Sequence, residues 1–522
     1  MAAAQTAEQV PAEVPDKGLR SGALGLVQST VMGIASTAPA YSLAATLGAL
    51  VVVAGVHSAG VLLLAFVPMY CVAVGYEQLN RWDPDCGTTF TWAAKVFGPR
   101  TGWMGGWGII VADVVVMANL GDIAGQYGFD LVGAHGLQGS RFWRAFAGCV
   151  WIVLMTTICY LGIEVSARLQ FALLAVEVVT LAAFAIVALV KVGTGHAPEG
   201  HLTPHASWLL PTHIGGAGAL SVGLLLAVFI YWGWDTSVSV NEETADARRT
   251  PGRAAVLSTV LLLGTYVIVA VAATAFAGPD ALSSHDSDDA LSFLGKQVLG
   301  GPGNKILVIM VLTSATASTL TSILPTARTA LAMASYRALP KAFARVDRKT
   351  MTPSVATIAM GVVSILVYIG IDSTGTDMYT DTLDSIGLMI AFYYGMTALT
   401  CVWQFRRDLG RSVSDFLKKG LIPFIGGATL LWLFVYGAVK YASVYADSGP
   451  GSEIGSNTKL LGIGAATTVG LGALLLGVPL MLAWNARSPE FFRGESFAPD
   501  DASEVSVVGA LPPTPGELAS SD

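Results

Sequence analysis

From Ser21 to Tyr76 the chain runs for 56 residues without one Asp, Glu, Lys or Arg, and His57 is the only histidine in the run. As a single helix this stretch would measure ~84 Å at about 1.5 Å per residue, against a bilayer hydrocarbon core of ~30 Å. It must therefore cross a bilayer twice, with a short turn between the passes. The whole chain agrees: of 522 residues, 53% are hydrophobic and 12% are charged, whereas soluble domains carry about 25% charged residues. Such a surface is not kept in water, and a soluble enzyme is excluded.

The net charge of −7 sits mostly at the ends. Residues 1–20 hold three acids and two bases and residues 485–522 hold seven acids and two bases, which leaves −1 for the body. Nothing there forms a basic patch for nucleic acid. Both flanks are rich in Ala, Ser, Pro and acids, too poor in apolar residues to fold alone, and are expected to be disordered. The N-terminal stretch lacks the charged-then-apolar pattern of a cleaved signal. Cys71, Cys86, Cys149, Cys159 and Cys401 show no C-x-x-C spacing, and all but Cys86 fall in apolar runs. They read as small buried hydrophobes. His196, His201, His205 and His213 are irregularly spaced among Gly and Pro, as in a solvated loop. Neither a metal nor a cofactor is implied.

Apolar windows of about twenty residues recur along the chain, as membrane helices require. They fall at 23–53, 58–80, 102–129, 143–163, 166–191 and 218–240, then at 254–277, 304–334, 354–371, 381–404, 421–445 and 459–484. The expected architecture is thus an all-α integral membrane protein. Twelve transmembrane helices occupy 21–484, between an N-tail of residues 1–20 and an acidic C-tail of residues 485–522. Lys and Arg set the orientation. With the N-terminus inside, 21 of them lie in inside segments and 7 in outside loops, with Arg328 left within a span. Both termini are expected in the cytoplasm, at the plasma membrane.

Two spans are not plain Leu, Val and Ala. The first carries Gly33-Ile34-Ala35-Ser36-Thr37-Ala38-Pro39 near its middle, and the sixth carries Phe229-Ile230-Tyr231-Trp232-Gly233-Trp234-Asp235-Thr236-Ser237. Glycine loosens a helix and proline removes an N–H. In lipid the freed peptide groups must find partners, so such breaks survive only inside protein or beside a wet cavity. Half-helix N-termini there present N–H groups and partial positive charge, suited to a carboxylate. Interrupted spans at matching positions point to two inverted repeats. Those repeats would be spans 1–5 (about 21–192) and 6–10 (about 215–404), with spans 11 and 12 (about 421–484) appended. The plainer reading is that Gly and Pro are simply common in membrane helices.

Four stretches together resemble the amino acid–polyamine–organocation (APC) superfamily, in its bacterial amino acid permease type. They are the Gly33–Pro39 break; Trp232-Gly233-Trp234-Asp235 followed by Glu242-Glu243 and Arg248-Arg249-Thr250-Pro251; Pro84 to Trp92 with Phe97-Gly98-Pro99 and Gly106-Trp107; and Leu324 to Arg328 with Ala332-Met333-Ala334, Leu339-Pro340 and Thr352-Pro353. The chain has Asp246-Ala247 where the family usually has Asn-Pro. The resemblance implies a substrate α-carboxylate on backbone N–H groups of the first break, and an α-amino group on carbonyls of both. Carried onto this chain, the substrate-binding candidates are Ile34, Ala35, Ser36, Thr37 and Ala38, with Tyr231, Gly233 and Trp234 opposite. Phe229 falls where some members place an aromatic gate, although packing would explain it equally.

Ionisable residues at bilayer depth cost at least ~2.5 kcal/mol by insertion scales and are functional candidates. Asp113, Glu177 and Asp235 lie at about that depth, and no Lys or Arg of spans 1–6 matches them. A carboxyl so placed can load a proton outside and release it inside. By resemblance, Glu177 stands where several members carry a lysine whose amine replaces a sodium ion. Either it is a coupling residue, or it is a permanently neutral acid bonded to a carbonyl. Asp235 matches a common acidic position, Asp122 is expected in an outer vestibule, and Thr313, Ser314 and Thr316 offer oxygen ligands for sodium as the lesser alternative to protons. The implied activity is import of an amino acid by proton-coupled symport through alternating access. An amine or polyamine importer, or an antiporter, is the runner-up. No charged pore ring suggests a channel, and no H-E-x-x-H or nucleophile beside a base suggests an enzyme.

Overall fold

A computed structural model describes residues 16–211, 214–284, 290–300, 303–374, 379–444, 455–497 and 507–508. His213 and the greater part of both tails lie outside the described residues. The chain is helical almost throughout. In order come α1 (Leu26–Ser36), α2 (Pro39–Ala54), α3 (Ser58–Trp82), α4 (Thr89–Phe97), α5 (Pro99–Leu131), α6 (Arg141–Tyr160), α7 (Ile163–Gly193) and α8 (Ala217–Ile230). Then follow α9 (Thr236–Ser239), α10 (Thr250–Ala277), α11 (Gly303–Ser335), α12 (Ser354–Ser373), α13 (Tyr379–Gln404), α14 (Ile422–Lys440) and α15 (Ala465–Arg487). Four shorter α-helices lie in the loops, and among the described residues strand pairing amounts to Val346–Asp347 with Val507–Val508, Lys459–Leu460 with Ile463–Gly464, and two single bridges.

Among the described residues, ten stretches are long and apolar enough to cross a membrane. The twelve windows of the sequence reduce to ten because the first two run together as Leu26–Trp82 and the sixth is cut short, leaving Ala217–Ile230 below span length. Apolar side chains fill the core and also cover the outside of the bundle. The middle of the bundle is α5, α11 and α13, with α5 against both of the others. Outward-facing positions of α6, α7, α12 and α15 carry exposed Phe142, Val179, Leu366 and Leu475. In water that surface would aggregate; in hydrocarbon it is solvated.

The helical body extends beyond the boundaries of 21 and 484 expected from composition. Lys17 and Leu19 are buried ahead of α1, and Phe491 beyond α15 is fully buried, its ring stacked on Phe90 at 5.5 Å between centroids. Composition misses this because a few anchoring contacts, rather than a core of their own, hold Lys17, Leu19 and Phe491 against the bundle.

Candidate functional site

The first span divides where its sequence changes. α1 ends at Ser36, and the Thr37 hydroxyl donates back to the Ile34 carbonyl at 2.7 Å. Ala38 then takes φ 44 and ψ 65, a left-handed conformation that only glycine adopts without strain, and Pro39 opens α2. The sixth span divides at Tyr231–Asp235, where Gly233 has φ +118. A Cβ on Gly233 would stand 2.8 Å from the Ser36 carbonyl carbon and oxygen, so the two breaks touch through a position that admits no side chain. Ser36 Oγ lies 2.9 Å from Thr236 Oγ1, and the Ser318 hydroxyl of α11 donates to the Ser36 carbonyl at 3.1 Å. Gly33 brings α1 close to the Trp234 carbonyl, where a Cβ would come within 3.3 Å.

Aromatic rings enclose this junction. Phe229 meets Tyr41 edge-on at 6.5 Å, Tyr231 meets Tyr266 at 5.1 Å, and Trp234 meets Tyr394 at 4.9 Å. Tyr231 Oη and Trp234 Nε1 are buried donors with no hydrogen-bond partner among the described residues. Such groups call for an acceptor. Of the remaining candidates, Thr37 and Ala38 form the turn itself. Ala35 packs with Leu174 of α7 and Ala317 of α11, and Ile34 packs against the same cluster.

The three deep acids each find neutral partners. Glu177, fully buried on α7, accepts on Oε1 from the Ala40 N–H at 2.6 Å and the Ser314 hydroxyl at 2.7 Å, while Oε2 has no partner among the described residues. Ser314 Oγ in turn accepts from the Tyr41 N–H at 3.2 Å. A carboxylate from α7 therefore caps the start of α2, where the half-helix end favours negative charge. With Thr37, Ala38 and Ser42 bonded to the carbonyls of Ile34, Ala35 and Ala38, every N–H from Thr37 to Ser42 has a partner within the chain. Asp113 accepts from Thr326 at 2.7 Å. Asp235 accepts from Tyr394 at 2.8 Å and Tyr393 at 3.1 Å, and the Trp232 indole donates to Tyr393.

Sequence reasoning placed the acids but not these partners. The adjacent Tyr393-Tyr394 in an apolar span was a legible signal. Thr313 and Thr316 donate to the Met310 and Leu312 carbonyls of their own helix, as hydroxyls in membrane helices commonly do. Asp122 pairs with Arg144 at 3.0 Å and receives the Tyr368 hydroxyl at 3.1 Å.

Beyond the α1 and α9 ends of the bundle lies a buried ionic cluster. The Lys17 ammonium donates to Asp85 at 2.9 Å and also to Glu242. Asp85 further receives Tyr336, Gly87 N–H and Thr91, each at 2.8 Å. Burial opposes the Lys17 charge, but Asp85 and Glu242 outweigh it and hold the ammonium well above the usual lysine range. Burial likewise opposes ionisation of Asp85, yet Lys17 holds it below the usual carboxylate range. Although the donor atoms of Asp85, Cys86 and Glu242 lie within 4.8 Å of one another, Lys17 already bridges the two carboxylates, so this is an ion-pair centre. Nearby, Arg328 clasps both oxygens of Glu243 through Nε and NH2, with both side chains buried.

A bundle of apolar helices, two of them interrupted at facing points deep inside, defines a multi-pass membrane permease. The amino acid permease family profile matches residues 23–464, and the chain belongs to that family. The family is the one its four sequence stretches resemble. An uncharacterized transporter of Mycobacterium tuberculosis is 28% identical over 465 residues, 87% of this chain and 92% of that protein. The low-affinity putrescine importer PlaP of Escherichia coli is 22% identical, covering 78% of this chain and 88% of its own length. The branched-chain amino acid permease BcaP of Lactococcus lactis is 22% identical, covering 73% and 83%. In fold, the crystal structure of MhsT in complex with L-phenylalanine superposes with a TM-score of 0.59 at 16% identity, over 80% of this chain and 99% of that one.

Proposed function

We propose that this protein is a secondary active importer of a small amine-bearing solute, an amino acid or an amine, driven by protons through alternating access, with no covalent turnover. The ten stretches would amount to twelve passes, five plus five as inverted repeats with two appended, in the plasma membrane with both termini cytoplasmic. The observation that carries the reading is the contact between the two breaks, Gly233 against Ser36, ringed by Phe229, Tyr231 and Trp234. Solute would bind at that junction. Glu177 would carry the coupled proton, because its Oε1 holds the start of α2 and its Oε2 is unpartnered and buried. Protonation there weakens the cap and loosens α2 from α7 and α11. Asp235 and Asp113 would pass the change to α13 and α11 through Tyr394 and Thr326.

A second reading is favoured by one specific observation. The N–H groups of Ala40 and Tyr41 are already taken by Glu177 and Ser314, and the three deep acids pair with no basic side chain among the described residues. That pattern suits a cation lacking a carboxylate, such as putrescine. The test is uptake into proteoliposomes under an imposed pH gradient. Radiolabelled amino acids and putrescine are compared, and Glu177→Gln should abolish acceleration by the gradient while solute binding survives. Gradient-driven uptake unchanged in Glu177→Gln would refute the coupling role.

A further inference from the structure

A cavity of ≈ 460 Å³ lies away from the break junction, between α5, α11, α12 and α15. Its floor and walls include Trp103, Trp107, Val114, Thr326, Met360 and Leu476. The polar atoms of this lining are spent inside the protein. Trp103 Nε1 donates to the Ala338 carbonyl, Trp107 Nε1 to the Ala473 carbonyl, and Thr326 Oγ1 to Asp113. A hydrophilic solute would find nothing to bond, so the cavity is unsuited to the transported substrate. It opens sideways, because Val363 of α12 and Leu476 of α15 are exposed on either flank. At that depth the surrounding medium is hydrocarbon.

Shape narrows the occupant. The lining follows α12 from Ala356 to Ile371, a rise of ~22 Å at about 1.5 Å per residue. Spread over that length, a cavity of ≈ 460 Å³ is a slot, narrow beside a helix of about 10–12 Å diameter. One extended hydrocarbon chain fits. At one end the lining is Leu339 and Phe343. The segment around them, 336–350, carries Arg337, Lys341, Arg345, Arg348 and Lys349 against the single acid Asp347. Asp347 accepts from the backbone N–H groups of Lys349 and Thr350. Lys341 and Arg345, each two residues from Phe343, are exposed. Basic pockets between membrane helices at one bilayer face are suited to anionic headgroups.

We propose that this groove binds one anionic phospholipid, its acyl chain lying along α12 and its phosphate beside Lys341 and Arg345. The site is independent of the solute site; only its assignment to the inner leaflet rests on the orientation proposed above. The test is native mass spectrometry of the full chain released from nanodiscs of phosphatidylglycerol or phosphatidylcholine. One phosphatidylglycerol should be retained per protein, at least tenfold more than phosphatidylcholine. Exposed-site neutralisation, Lys341→Gln with Arg345→Gln, should erase that preference while the purified protein remains folded by circular dichroism. Filling the groove with Ala359→Trp should remove the retained lipid of either kind. Equal retention of the two lipids, or a preference that survives the double substitution, overturns the proposal. So does loss of a dimer on Ala359→Trp with lipid retention unchanged, which would assign the groove to a second copy.

Discussion

At the residue scale, two positions in the breaks decide whether the junction can form. Gly233 combines φ +118 with a position where an added Cβ would stand 2.8 Å from the Ser36 carbonyl, so Gly233→Ala must separate the breaks or distort the turn. Backbone strain of this kind costs about 1–3 kcal/mol. Uptake by Gly233→Ala should fall at least tenfold while the purified protein remains folded by circular dichroism; wild-type uptake would show that the close approach is dispensable. Ala38 poses the reverse case, since it holds φ 44 with a Cβ. Ala38→Gly should relieve strain and leave or raise the melting temperature, whereas Ala38→Val should lower it by several degrees. Equal melting temperatures for the two variants would mean that the left-handed turn is not populated.

At the element scale, the Lys17 cluster ties the segment before α1 to the loop after α3 and to the exit of α9. Removing Lys17 leaves two buried carboxylates without their cation, and breaking a buried pair costs about 3–5 kcal/mol. The pH dependence follows from the directions of the shifts. Asp85 is held low, so its contribution is complete above the ordinary carboxylate range and is lost only as pH falls through its lower folded value. Lys17 is held high, so its contribution is complete below the ordinary lysine range and is lost only as pH rises through its higher folded value. Between about pH 5 and 9 both stay ionised. Glu242, which also receives the Lys17 ammonium, is pushed up by burial, so removing Lys17 leaves two buried carboxyls that take up protons as pH falls. Lys17→Met should therefore destabilise most at the upper end of that window and less toward its lower end, measured by thermal unfolding in detergent. A loss of stability that grows as pH falls would contradict the assigned charges.

Much of this element-level order was legible in sequence. Length and apolarity placed the helices, and Gly-Pro chemistry placed the breaks at Gly33–Pro39 and near Gly233, because those signals are local. Partnerships were not legible. Glu177 meets Ala40 across 137 positions and Asp85 meets Lys17 across 68, and no local pattern encodes such pairing. Lys17 was hidden for a second reason: it sits in a stretch whose composition matches a solvated tail, although its own side chain is buried.

At the scale of the whole molecule, the proposed orientation rests on the exposed apolar side chains and the uneven distribution of Lys and Arg. Reporter fusions after residue 445 and after residue 522 should report opposite sides, the second cytoplasmic; the same side for both would require a different number of passes. The central claim concerns what the two interrupted helices hold between them. It is tested most directly by an experimental density map of the protein with a transported amino acid or putrescine bound. The account predicts solute density flanked by Ser36–Ala38 and by Tyr231–Trp234, with Glu177 Oε1 still at the start of α2. Solute density elsewhere, with the two breaks in mutual contact and nothing between or beside them, would contradict it.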